Sequence, residues 1–235
     1  MLYLIGLGLD DNEITQKGLE ALEEVDRAFA EFYTNTENID LDALEQKTGT
    51  EIEKLDREDV ERKDRVLESA EKQDTAFLVS GDSLTATTHY DIKHRAEQKG
   101  IETKVIHAPS IFVSIAETGL NVYKFGRTVT LPRDSAPESV TDYIQKNSSI
   151  GLHSLILLDI DYPADEAAEK LIGIDEELAD REAVILERAN HDDQEITVLR
   201  LEEAVDKSFG EPPHSIILTG DKSHKEEEFL EEYRE

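Results

Sequence analysis

The stretch "SGDSLTATTH" (80–89) carries more chemistry than a packed core requires. An apolar run ends at Gly81, Asp82 follows at once, and Thr85, Thr87 and Thr88 add hydroxyl donors and acceptors. A carboxylate at the end of a buried strand can accept hydrogen bonds from the hydroxyl or amino groups of a ligand, or cap the helix that comes next. Two more stretches have the same construction. "LIGLGLDD" (4–11) places Gly6 and Gly8 after an apolar run, where a ligand or a neighbouring backbone can come close. Asp11 stands where a dinucleotide fingerprint needs its third glycine, so this turn does not read as a phosphate cradle. In "IHAPSIFVS" (106–114), Pro109 fixes the chain ahead of Ser110, which either caps a short helix or faces a ligand. None of the seven histidines has a metal-ligand spacing such as HExxH, and there is no cysteine, so the sequence points to no metal site. His214, after two prolines and before an apolar strand, is the histidine to watch.

These residues need a scaffold that gathers strand ends. Continuous apolar runs at 2–7, 27–34, 75–80 and 101–108 alternate with helical patterns at 14–25, 40–47, 57–73 and 88–100, with a short strand near 51–55. That order predicts an α/β fold whose N-terminal sheet is parallel and doubly wound, with ligands beyond the carboxyl ends of its strands. The two prolines of "LPRDSAP" (131–137) interrupt the pattern. A boundary there divides the chain into a cofactor-binding domain, 1–131, and a second α/β domain, 132–235, that closes over the first. The second half begins with a helix (136–147), followed by strands at 153–160, 182–188, 195–200 and 214–220 with a helix-rich segment at 164–180. Short connections between the later strands predict a mixed sheet with helices. "KEEEFLEEYRE" reads as an exposed terminal helix.

With those residues in view, the chain resembles the diphthine synthases, relatives of the tetrapyrrole methylases. The stretches that carry the resemblance are "LYLIGLGLDDNEIT", "AEFYT", "SGDSLTATTH", "IHAPSIF", "TGLNVYKFG", "LILLDI" and "FGEPPHSI", in order from residue 2 to residue 218. The resemblance implies a two-domain fold of the tetrapyrrole methylase type and S-adenosylmethionine as cofactor, held in the cleft between the domains. It also implies a homodimer. The substrate would be translation elongation factor 2, whose modified histidine bears a 3-amino-3-carboxypropyl group; the archaeal type methylates that amino group to a trimethylammonium. Carried over position by position, the cofactor contacts fall on Leu9, Asp82, Thr85, Ser110, Ile111, Leu158, Ala189 and His214. Ser83 replaces the family's usual proline, which should loosen the loop while leaving Asp82 in place. Thr85 replaces a more usual aliphatic residue, so its contact should run through backbone. Two other readings remain open: a methylase of the same fold acting on a small macrocycle, and a non-catalytic module that has kept the cofactor site.

The charge balance bounds partners and setting. Lys and Arg total 25 against 55 Asp and Glu, a net charge of -30 in 235 residues. A surface this acidic repels phosphates and anionic lipid, which argues against nucleic-acid and membrane partners. The N-terminus has no basic leader, and no window is long and apolar enough to span a bilayer, so a cytoplasmic protein is expected. The acids are spread through every segment, as suits a halophile that accumulates salt, where screening removes self-repulsion. The purified protein is therefore expected to unfold as salt is lowered from molar concentration. Circular dichroism across a salt series checks this, and equal stability at both ends of the series would refute it.

Overall fold

The computed structural model describes residues 1–33, 39–135 and 137–234. It forms two compact units, Met1–Ile111 and Phe112–Glu235. In the first unit, apolar runs form β1 (Leu2–Gly6), β2 (Arg27–Glu31), β3 (Ile52–Leu55), β4 (Thr75–Val79) and β5 (Thr103–Ile106). All their pairings are parallel, in the order β3-β2-β4-β1-β5. Successive residues of β1 face opposite sides, so Leu2 and Leu4 join Phe77 and Val79 in one core, while Tyr3 and Ile5 join Ala76 and Leu78 in another. Helices cover these faces: α1 (Gln16–Glu24), α2 (Leu41–Thr48), α3 (Arg57–Glu61), α4 (Arg65–Ala70) and α5 (Tyr90–Gln98). Side-chain caps at Thr15, Asp40 and Asp56 start the first three. The helix expected over 57–73 is two helices, because Asp64 takes a left-handed conformation (φ 52°) between them. Thr34, the end of the expected 27–34 strand, lies outside the described residues.

The second unit begins within the four-residue helix α6 (Ile111–Ser114) and contains β6 (Val129–Leu131), α7 (Glu138–Ser148), β7 (Ser154–Leu158), α8 (Ala164–Ile174), β8 (Glu182–Glu187), β9 (Glu195–Arg200), α9 (Leu201–Val205), β10 (His214–Leu218) and α10 (His224–Leu230). Its sheet has the order β6-β7-β10-β8-β9, with β6 parallel to β7 and the other pairs antiparallel. One core packs Ile156, Ile216, Leu218, Ala183 and Ile185 of the sheet with Val140 and Ile144 of α7, Ala168 and Leu171 of α8, and Leu201 and Ala204 of α9. The division falls twenty residues before the expected boundary at 131/132. The residues between belong to the second unit because Val129–Leu131 form the edge strand of its sheet, paired with Ile156–Leu158. Ala136, where the 136–147 helix was expected to begin, lies outside the described residues.

The acidic C-terminal segment is anchored, contrary to the exposed helix expected from its composition. Glu226 is buried and its carboxylate takes hydrogen bonds from Asn121 N (3.0 Å), Ser223 N (2.7 Å), Lys124 Nζ (2.5 Å) and His153 Nε2 (3.0 Å). His153 accepts from Gly220 N at Nδ1, so its Nε2 carries the proton that it donates. Burial pushes the Glu226 carboxyl up, but these donors outweigh it and hold the group well below the usual carboxylate range. A depressed folded value gives stability that is present above the unfolded value, about 4.3, and is lost as the pH falls below it. Glu226→Gln is expected to lower the unfolding free energy by about 3 kcal/mol near neutral pH, because Lys124 is left without its anion. Urea unfolding measures this, and the deficit relative to wild type should shrink below about pH 4.

Candidate functional site

In the first unit, the strand ends singled out in the sequence meet. Gly8 and Gly81 form a two-way backbone bridge, Gly8 N to Gly81 O at 3.1 Å and Gly81 N to Gly8 O at 2.5 Å. A Cβ on Gly6 would lie 2.7 Å from Gly81 O and 2.9 Å from the Ala108 Cβ, so the first strand end requires a glycine to pack between the other two. The close approach foreseen at these glycines is therefore one of neighbouring backbone. Glu13 organises the first turn by accepting from Leu9 N (2.6 Å) and Asp10 N (3.3 Å).

Asp82 joins the second strand end to the third. Its Oδ1 accepts from Leu84 N (3.0 Å) and Thr85 Oγ1 (2.8 Å), an Asx-type turn, while Oδ2 lies 2.6 Å from His107 Nδ1 and accepts weakly from Ala108 N at 3.4 Å. Burial raises the Asp82 carboxyl, but the Leu84, Thr85 and His107 donors prevail and keep it below its ordinary value. Both oxygens thus serve the protein's own loops. The side chain expected to be the main cofactor anchor is first an organiser of the loops around it. Thr85 likewise turns its hydroxyl onto Asp82 Oδ1, and its N–H donates to Asp82 O at 3.2 Å. Ser83 is fully buried, donates weakly to Leu4 O (3.4 Å) and accepts from Thr87 Oγ1 (3.3 Å), so the residue expected to loosen the loop is tied at both its side chain and its carbonyl. Ser110 is buried and Ile111 half-buried, two and three residues beyond Ala108.

The second unit gathers Leu158, Ala189 and His214 at one end of its own sheet. Leu157 pairs with Ser215 in the antiparallel β7–β10 ladder, which sets Leu158 opposite His214. His214 pairs in turn with Glu187, and buried Ala189 follows two residues later. Arg188 N donates to Pro213 O, closing this edge. The buried His214 ring accepts from Ala164 N at Nδ1 (3.1 Å), so Nε2 carries the hydrogen. Nε2 makes no hydrogen bond among the described residues and lies 3.8 Å from Glu187 Oε2. Burial pushes the ring below its ordinary value, so it is neutral at pH 7.

Backbone strain concentrates in these loops. Of the five described non-glycine residues with left-handed φ, Asn12 lies three positions after Leu9, Ala86 follows Thr85, and Arg188 and Asn190 flank Ala189. Such conformations persist where the surroundings over-determine them, and they favour loops preset for a ligand. An adenosine-bearing cofactor needs donors and acceptors aimed outward from fixed backbone. Preset loops suit one. Sequence reasoning passed over Glu13, His107 and Glu187, which hold the site residues; a charged residue's partner across a fold leaves no local pattern.

Asp82→Ala is expected to act on both folding and cofactor affinity, because two loops lose their shared acceptor. The loss of stability should be about 1–3 kcal/mol at pH 7 and should diminish as the pH falls below the ordinary Asp value of about 3.9, where the unfolded chain takes up the proton that the folded wild type binds only at lower pH. Thermal unfolding together with calorimetric titration of S-adenosylmethionine measures the two effects. A large loss of affinity with unchanged stability would show that Asp82 acts only on the ligand.

Comparison with known proteins agrees with this architecture. The family described as Tetrapyrrole (Corrin/Porphyrin) Methylases matches residues 1–205. A diphthine synthase of Halorubrum lacusprofundi is 39% identical over 254 residues, covering 98% of this chain and 95% of the relative. A diphthine methyl ester synthase of Schizosaccharomyces pombe is 36% identical, covering 99% of this chain and 94% of its own. A crystal structure of diphthine synthase superposes with a TM-score of 0.93 at 34% identity, covering 99% of this chain and 95% of that one. The chain is therefore a methyltransferase of the diphthine synthase family, within the tetrapyrrole methylase fold.

Proposed function

We propose that this protein uses S-adenosylmethionine to methylate the amino group of the 3-amino-3-carboxypropyl histidine on translation elongation factor 2, giving diphthine. The near-full-length identity to diphthine synthases carries this reading. We assign the cofactor to Leu9, Asp82, Thr85, Ser110 and Ile111 in the first unit and to Leu158, Ala189 and His214 in the second. When bound, the cofactor supplies an electrophilic methyl group on a sulfonium.

The chain's own residues contribute chiefly position. Asp82 fixes the loop at 82–88 against the end of β5, and Glu13 fixes the loop that carries Leu9. The cofactor would then meet loops at Leu9 and Thr85 that are already ordered. Holding two reactants in line in this way lowers a barrier by roughly 7–11 kcal/mol. The protein works in this reading as a homodimer in the cytoplasm. Among the described residues no helix is long and apolar enough to cross a membrane.

The relative named for a methyl ester favours a second reading, in which the neighbouring carboxylate is also methylated. Incubation with isotope-labelled cofactor and unmethylated elongation factor 2, followed by intact-protein mass analysis, separates these readings. Three alkali-stable methyl groups are expected. A further alkali-labile methyl would mark the ester activity. Label on a porphyrinoid and none on the factor would overturn the proposal.

A further inference from the structure

The loop that follows β4 is tied at both ends. At its start, Asp82 O accepts from Thr85 N at 3.2 Å, and Asp82 Oδ1 accepts from Thr85 Oγ1 at 2.8 Å. At its far end stands His89, 1% exposed. The His89 N–H donates to Thr87 Oγ1 at 3.2 Å, and that hydroxyl donates to Ser83 O at 3.3 Å. Between the two ties lies Ala86, left-handed at φ 57°. A residue with a Cβ keeps such a conformation only where its surroundings impose it.

The His89 side chain carries the far tie into the body of the first unit. Its ring stands edge-on to Phe77 of β4, with centroids 5.1 Å apart, and to Tyr33, two residues past the end of β2, at 6.1 Å. The Tyr33 hydroxyl lies 3.2 Å from His89 Nε2. Glu31 Oε1, at 3.6 Å from the same nitrogen, is too distant for a hydrogen bond, so the hydroxyl is the closer partner. Burial pushes the imidazole down to about 4, with the Ser83 backbone opposing, so the ring is neutral at pH 7. A hydroxyl both donates and accepts, so either tautomer of the neutral ring can make this bond. Tyr33 is itself held in place. Its N–H donates to Glu31 Oε2 at 3.0 Å, and Arg57 of α3 lies over its ring at 5.2 Å.

We propose that His89 is a positioning residue for the cofactor: by linking the 82–89 loop to Tyr33, it holds the turn at Ala86, and with it Thr85, in the shape that receives S-adenosylmethionine. This deepens the function proposed above and rests on its assignment of Asp82 and Thr85 to the cofactor. Asp82 fixes the near end of the loop and His89 the far end. Without the second tie the Ala86 turn can relax, and binding must then restore it, which weakens affinity.

The test compares wild type with Tyr33→Phe, His89→Phe and the double variant in molar salt. Phenylalanine keeps a ring at each position and removes the bond between them. Calorimetric titration of S-adenosylmethionine gives affinity, and methyl transfer to the amine-bearing factor gives KM and kcat. Each single variant is expected to bind the cofactor about fivefold more weakly. The double variant should also lose about fivefold and not the product of two losses, because all three lack the same bond. KM for the cofactor should rise in step, while kcat at saturation stays within about twofold. A loss of folded protein alone would lower kcat and leave KM as it was. That result, unchanged affinity in the single variants, or a multiplied loss in the double variant would each overturn the positioning role. Should His89→Phe fail to fold, Tyr33→Phe decides alone through its affinity and KM. A wild type that binds no S-adenosylmethionine would overturn the cofactor reading, and the positioning role with it.

Discussion

The geometry of the candidate site depends on one constraint, the two-way backbone bridge between Gly8 and Gly81. Parallel strands end with their last carbonyls and amides unpaired, and loops leaving them tend to diverge. Here the bridge holds the β1 and β4 loops together beyond the last ladder pair, Gly6 with Val79. It is possible only because Gly8 (φ 88°) and Gly81 (φ 70°) take left-handed conformations. A Cβ at Gly8 would lie 2.2 Å from the Glu13 Cβ, so the same position also admits the carboxylate that orders the Leu9 turn. Asp82 then extends this backbone junction to β5 through His107 and Ala108.

The second unit reaches a similar arrangement by other means. Its sheet is mixed, and the site residues come from both a strand start and strand ends: His214 opens β10, while Leu158 closes β7 and Ala189 follows β8. Antiparallel pairing makes this possible, since the start of one strand lies beside the end of its neighbours. The ladder, not a loop bridge, sets their register. Charged side chains at this edge are likewise answered internally, as Glu187 accepts from Gly210 N at 2.5 Å.

How legible these features were in the sequence follows from the range of the forces involved. The buried strands were legible because each is a continuous apolar run, and the three chemical loops because Gly, Asp and Thr after such runs have few other uses. The break at Asp64 was not, since it depends on one residue entering a left-handed conformation within a well-patterned helix. The three-residue β6 offers too short a pattern to distinguish from loop, and missing it moved the expected domain boundary to the nearby prolines. Asp82 was legible as a site residue, but its second task, joining the loops, was not. Its partner His107 is 25 positions away, and no spacing rule connects them. The burial of Glu226 was hidden in the same way: an acid-rich segment reads as solvated unless the base that meets it, over a hundred residues earlier, is known.

The contrast between surface and interior acids gives the last step. Most of the 55 acidic residues can rely on water and salt for their solvation. Glu31, Asp82, Glu187 and Glu226 cannot, being 5% exposed or less. Screening by salt does not reach them, so each needs fixed donors or a compensating function. Asp82 and Glu226 have four donors apiece, which accounts for their burial by structure alone. Glu31 likewise accepts from Tyr33 N at 3.0 Å and stands 3.6 Å from His89 Nε2, so the buried acids of this fold are met by the chain's own groups, while the surface acids are left to water and salt.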